Sequence, residues 1–413
     1  MKNAALSIIL LFFISITVTA QDISEWREEN RTGISAETGL LKFWPAKGPA
    51  LLWSCTDLAR GNSSVSFGSN TIYTTGNKGN DDILFALDMK GKVLWQTVFG
   101  RAWTQSYPES RATPTVEGNR VYCTSGYGDL ACIDGSTGKI IWSYKASEIH
   151  KGTYGSWGIA ESMLIDGNKV YFSPGGPQTM TIALDKNSGK LLWKSASLND
   201  KPGYVSPILV NYAGKKMLIN VSLQHVFGVD VSNGEILWKV AHINKDNDEL
   251  IKCVTPLFKD GRVYVTGGYN TGGMMVEIGK DGKSAKALWT DDVLDVHHGG
   301  VVLVNGYIYG ANWISNGNGN WCCIDWNTGR KMWEEKWFNK GSIIAADGML
   351  YIYDEKSGNV GLVKPNPQKF DLVSSFKVTM GSAGPYWAHP VIKDGILYLR
   401  HTNALMAYDI KAR

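Results

Sequence analysis

Four stretches of this chain carry the same spaced triplet: an Asp, a Gly four residues on, and a Trp four after that. They are Asp134/Gly138/Trp142, Asp185/Gly189/Trp193, Asp230/Gly234/Trp238 and Asp325/Gly329/Trp333. Asp88/Gly91/Trp95 is the same unit with its turn shortened by one residue. Trp289 and Phe376 end two divergent copies, and Trp53 ends a fragment that lacks its front half. Successive anchors lie 42 to 51 residues apart. That is the length of a four-stranded propeller blade, whereas the coils of a β-solenoid are much shorter. A unit of this size cannot bury its apolar face alone, so the copies must stack on one another.

Each position in the unit has a mechanical task. In KVYFSPGGPQTMTIALDKNSGKLLW the apolar residues alternate through two runs, the pattern of a hairpin. The Asp closes the second run, where its carboxylate accepts from backbone amides of the turn. The Gly allows a positive φ at the reversal. The Trp falls on a short outer strand, where a large ring fills the wedge between blades. The chain ends count the blades. ILYLRHTNALMAYDI holds inner strands and stops before any turn, while GPALLWS, residues 48–54, holds only an outer strand. Joined, they make one blade and leave no free edge in the ring. The expected fold is all-β: an eight-bladed propeller of four-stranded antiparallel blades, closed by the two termini. The degenerate copy at Lys340–Lys377 leaves seven blades as the alternative count.

Composition agrees with many short strands and tight turns. There are 46 Gly, 16 Trp and 18 Tyr, against 19% charged residues. The net charge of +4 is spread along the chain, which argues against nucleic acid or anionic lipid as partner. Lys2, the apolar run Leu6–Val18 and the small residues Val18-Thr19-Ala20 form a signal-peptide pattern, so residues 1–20 are expected to be removed and the product exported to the periplasm or medium. No cysteine stands at the cleavage point to take a lipid, and no later apolar run reaches membrane-spanning length. Residues 21–44 are expected to form a strap across the ring and residues 45–413 a single propeller, acting as a monomer.

The repeats, seen as ACIDGSTGKIIW and CCIDWNTGRKMW, resemble the pyrroloquinoline-quinone-type repeat Ala-x-Asp-x-x-Thr-Gly-x-x-x-Trp. Nearly the whole mature chain is similar to two groups: the non-catalytic barrel-assembly lipoproteins of the bacterial outer membrane, and exported propellers known only by the repeat. WREENRTGISAETGLLKFW and SWGIAESMLIDGNKVYFSPGGP resemble the second group. Quinoprotein alcohol dehydrogenases share the repeat, and that resemblance implies pyrroloquinoline quinone with calcium. Several of them stack an adjacent-cysteine disulfide on the quinone. Cys322-Cys323 here align within a blade strand, opposite Ala131-Cys132, where two core thiols on opposite faces is the simpler reading. There is no C-x-x-C-H haem attachment, and no Glu/Asn/Asp calcium set aligns.

A ligand of such a ring is expected at the mouth of the central channel. Aligning the inner strands puts Thr113, Ser162, Ser206, Thr255 and His389 at equivalent positions, with Trp103 and Tyr107 in the loop before Arg111. The candidate ligand residues are Arg111, Trp157, Glu161, His298, Trp387 and His389: rings to stack on a planar group or a sugar face, and charges to orient hydroxyls or carboxylates. Glu161 stands where other blades have apolar residues and is the candidate acid–base group, or else a structural partner of Arg111. His297-His298 carry no second ligand pair at metal spacing, so no metal site is expected. Asp291, Asp292 and Asp295 read as a solvated loop. The expected function is an exported binding propeller that takes a small molecule, glycan or protein segment. The alternatives are a quinone-dependent alcohol or sugar dehydrogenase and a carbohydrate-active enzyme.

Overall fold

The computed structural model describes residues 23–242 and 252–412, so the signal-peptide reading lies outside the described residues. Eight antiparallel sheets of four strands follow one another in chain order, each running from an inner to an outer strand. Blade 1 begins at Ser66–Gly68, blade 2 at Thr115–Glu117, blade 3 at Leu164–Asp166 and blade 4 at Ile208–Tyr212. Blades 5, 6 and 7 begin at Leu257–Lys259, Val301–Val304 and Gly341–Ala346. Blade 8 takes its three inner strands from Val391–Lys393, Ile396–His401 and Ala404–Asp409 and its outer strand from Ala50–Cys55. Ala50 pairs with Asp409 and Cys55 with Leu405, so the two ends of the chain close the ring.

The repeated triplet explains how one blade holds the next. The Asp134 carboxylate accepts from the hydroxyls of Ser136 and Thr137 and from both their amides, and this holds its pKa below the usual carboxylate range. The turn Gly sits on the anchor ring of the preceding blade. A Cβ at Gly189 would lie 2.8 Å from Trp142, and one at Gly234 2.6 Å from Trp193. Both glycines also have positive φ, so two separate constraints exclude a side chain there. Four anchors donate their indole N–H into the following turn: Trp142 to Lys186 O at 2.9 Å, Trp193 to Val231 O at 3.1 Å, Trp289 to Asn327 O at 3.0 Å and Trp333 to Asn366 O at 2.7 Å, whereas the Trp238 indole N–H is buried without a partner. In degenerate blade 7, Phe376 has no such donor. Fully buried Trp44 packs edge-on against it, with centroids 5.3 Å apart, and completes that wedge.

The aligned hydroxyls stitch the inner strands together. The amide of Ser64 donates to Thr113 Oγ1, that of Thr113 to Ser162 Oγ and that of Ser162 to Ser206 Oγ, at 2.9, 3.1 and 2.9 Å.

The segment after residue 22 fills the channel instead of lying across the ring. Ile23–Ser24 adds antiparallel to the inner strand of blade 2, and Ile34–Ser35 parallel to that of blade 7. The chain therefore rises into the channel from the face that carries the Asp–Gly turns, reverses near Glu29–Arg31, and leaves by the same face. Arg27, Glu28, Asn30 and Arg31 all have φ between 56° and 66°, a conformation that costs of order 1 kcal/mol or more per residue. Two guanidinium forks offset that cost. Arg27 donates to Val301 O and Ile343 O of blades 6 and 7, and Arg31 to Met163 O and Pro207 O, just before blades 3 and 4. The plug is thus a cross-brace. Among the described residues no helix is long and apolar enough to cross a membrane.

Candidate functional site

The Asp–Gly turns, which join third and fourth strands, fall on one face of the ring. The opposite face carries the loops between blades and the turns between second and third strands. A cavity of about 220 Å³ opens among these loops at the channel axis. Its floor is the plug: Trp26, whose indole N–H donates to Thr255 Oγ1 at 3.2 Å and whose ring meets His389 edge-on at 4.5 Å. Tyr107, Trp157, Tyr204, Tyr269 and Trp387 supply aromatic walls from loops of separate blades.

Of the residues expected from sequence, Arg111, Trp157, His298, Trp387 and His389 line this cavity. Arg111 donates to the carbonyls of Ser106 and Tyr107. Burial lowers its pKa, and the field of Asp82 opposes that shift. Asp82 lies behind it, accepts from the Gly126 amide at 2.8 Å, and is pushed by burial up to about 7. Trp387 packs on Tyr107 at 5.4 Å and on His298 at 4.6 Å. Trp157 packs against Tyr204, whose hydroxyl accepts from the Trp157 amide at 3.0 Å.

His389 lines the cavity with both ring nitrogens in use. Arg27 has only donors, so the Nδ1 it meets at 2.9 Å accepts, and Nε2–H donates to His298 O at 3.0 Å. Burial and the neighbouring Arg27 hold its pKa well below the usual value, which fits a neutral ring.

Glu161 does not line the cavity. It is fully buried beneath the wall, with Ser173 and Asn220 as hydrogen-bond partners and one oxygen, Oε1, left without a partner. Burial pushes it up to about 8, and the opposing positive field comes from Arg31 in the plug. Arg111 is therefore not its partner. Trp103 is likewise scaffold, packed between Tyr127 and Tyr154.

His297 and His298 lie in a loop, and their tilted rings lie side by side with centroids 3.4 Å apart. Burial, His298 and Lys340 hold the pKa of His297 well below the usual value, and neither of its ring nitrogens has a partner. His298 Nδ1 lies 3.7 Å from Glu355, which binds buried Lys340 at 2.6 Å. In the acidic loop only Asp292 is exposed. Asp291 accepts from the Val293 and Leu294 amides, and Asp295 from those of Asn270 and Gly272, so both tie loops together.

The sequence reading missed Trp26, Asn62, Tyr269 and Glu355. Trp26 lies outside the repeats, where no alignment of blades reaches. Tyr269 and Glu355 lie on turns between second and third strands, which vary in length.

Pyrroloquinoline quinone with calcium, the pair implied by the dehydrogenase resemblance, would need oxygen ligands from this wall. Calcium takes six to eight oxygens, several of them from carboxylates. Among the described residues the cavity wall offers one carboxylate, Glu355, already paired with Lys340. Among the described residues no three His, Cys, Asp or Glu side chains converge. Cys322 packs toward blade 5 with Met275, Cys323 toward blade 7 with Ile343, and both thiols are free and buried. These residues do not fit that pair.

A plugged channel, eight blades of which five carry the Asp–Gly–Trp repeat, and a loop-face cavity define a quinoprotein-like propeller. The family described as outer membrane protein assembly factor BamB matches residues 80–314, more than half of the chain, and the chain belongs to that family. The chain is similar to quinoprotein alcohol dehydrogenase PedH of Pseudomonas putida, 26% identical over 227 residues, covering 55% of this chain and 35% of that protein. It is also similar to outer membrane protein assembly factor BamB of Moranella endobia, 22% identical over 260 residues, covering 60% of this chain and 62% of that one. The chain thus spans roughly a third to three fifths of the length of these relatives. The crystal structure of BamB from Moraxella catarrhalis superposes with a TM-score of 0.62 at 14% identity, over 87% of this chain and 99% of that one, a likeness of fold.

Proposed function

We propose that the protein is an exported binding propeller that takes a small ligand in the channel-mouth cavity. The observation that carries this reading is the set of buried polar atoms on the wall with no protein partner. Trp387 Nε1, Asn62 Nδ2 and both nitrogens of His297 are orphaned beside a cleft lined by aromatic rings. Buried polar groups are normally satisfied, each orphan costing about 1–3 kcal/mol, so a site of this kind is built for something that enters it. The volume bounds the ligand. About 220 Å³ is smaller than a drug-sized pocket and suits one ring with a few substituents.

A protein segment at the same mouth is the second reading, favoured by the family's description as an assembly factor. The cavity has room for one side chain of such a segment. The carbohydrate-active alternative needs two carboxylates flanking a glycosidic bond, and among the described residues the wall supplies Glu355 alone. The test is a paired measurement on wild type and Trp157→Ala with a panel of small ligands, followed by indole fluorescence and melting temperature. Trp157→Ala should weaken binding by roughly 2 kcal/mol with little change in melting. A variant that melts lower yet binds equally per folded molecule would make Trp157 scaffold and remove the site.

A further inference from the structure

The wall is asymmetric in a way that narrows the ligand further, given the reading of this cavity as a small-ligand site. One corner holds donors. Arg111 is anchored on Ser106 O and Tyr107 O, and Trp387, with its unpartnered indole N–H, packs on Tyr107 at 5.4 Å. Asn62 belongs to the same corner: its amide N–H donates to the carbonyl of Ser110, the residue before Arg111, at 2.8 Å, while its side-chain NH2 has no partner. A guanidinium with two neutral donors beside it, and only backbone carbonyls as hydrogen-bond partners, is a carboxylate-binding arrangement.

Next along the wall come the stacked imidazoles. His298 touches Trp387 at 4.6 Å, and His297 lies 3.4 Å beyond. A neutral imidazole presents one donor and one acceptor nitrogen, and both nitrogens of His297 are orphaned while buried. Glu355 adds a further acceptor behind His298. An aromatic acid without ring hydroxyls, such as benzoate or phenylacetate, has no hydroxyl donors to satisfy this second corner. A neutral sugar brings no anion to Arg111, whose neighbouring carboxylates, Asp82 and Glu109, are engaged by the Gly126 amide and by Arg60. A cation is opposed by Arg111, and the one carboxylate among the described wall residues is already paired with Lys340. Trp157 and Tyr204 close the other side as an apolar surface, the kind on which a sugar ring stacks.

We infer that the ligand is a hydroxylated carboxylate of monosaccharide size, the class of a uronic acid, with its carboxylate at Arg111, Asn62 and Trp387 and its hydroxyls at His297 and His298. The experiment is calorimetric titration of the mature protein with galacturonate and glucuronate, with galactose and glucose, and with benzoate and phenylacetate. A uronate should bind on the order of tenfold or more tighter than its neutral sugar. Trp387→Phe keeps the ring but removes one donor, and should narrow that ratio without abolishing binding. Equal affinity for uronates and neutral sugars overturns the inference. So does tight binding of the aromatic acids with none of the uronates, and in either case the small-ligand reading survives. If none of the six binds and a broad small-molecule panel also leaves indole fluorescence unchanged, both readings fall.

Discussion

Replacing Glu161 by Gln removes a buried charge while keeping the size of the side chain, and the structure fixes the sign of the effect. Glu161 is 1% exposed, has one unpartnered oxygen, and is pushed by burial up to about 8 from an ordinary 4.5. The folded protein therefore holds this proton more tightly than the unfolded chain does. The stability that Glu161 contributes is fully present below about pH 4.5 and is lost as pH rises through about 8. A displacement of that size corresponds to an upper bound of about 4–5 kcal/mol, and local relaxation brings the expected loss to roughly 2–4 kcal/mol. Gln carries no charge at any pH, though its amide must find an acceptor among Ser173 and Asn220. At pH 5 the variant should equal wild type or fall about 1 kcal/mol below it. At pH 9 it should be the more stable protein. Urea unfolding at pH 5, 7 and 9 measures this directly. Glu28 and Asp82, each pushed to about 7 by burial, titrate in both proteins and cancel in the difference. A stability difference that stays constant across the three pH values would refute the reasoning. Ligand affinity should not change, because Glu161 does not line the cavity.

Deleting the residues after Gly395 should abolish cooperative melting of the full ring, since Ala50–Cys55 loses its partner and blade 7 loses its neighbour; a truncated chain that melts with wild type would show the closure to be dispensable. Trp238→Ala should cost about 3–5 kcal/mol by urea titration, because the ring is buried in a core of Val, Ile and Met side chains. Changing Cys322 and Cys323 together to Ala should cost about 1–3 kcal/mol in stability and leave ligand affinity intact; a loss of binding in a folded variant would return the pair to the site.

Much of the architecture was legible because it is local and repeated. The Asp–Gly–Trp spacing fixes a turn, a reversal and a wedge within a dozen residues, and the incomplete units at each end force closure into an eighth blade. The same motif says little about the site for a topological reason: antiparallel pairing puts every Asp–Gly turn on the face opposite the cavity. Arg111, Trp157, His298, Trp387 and His389 could be placed at the mouth because they precede inner strands that align. Glu161 aligned equally well, yet a single peptide decides whether a side chain points into the channel or back between blades, and here it points back. Trp26, Arg27 and Arg31 had no repeat to align with. Only the folded ring, with inner-strand edges at blades 2 and 7 and carbonyls turned toward the axis, gave that segment a place. Sequence alone thus determined the ring, because its contacts repeat at short range. The floor of the cavity and the partners of its charges were decided by tertiary structure, because they join residues from different blades.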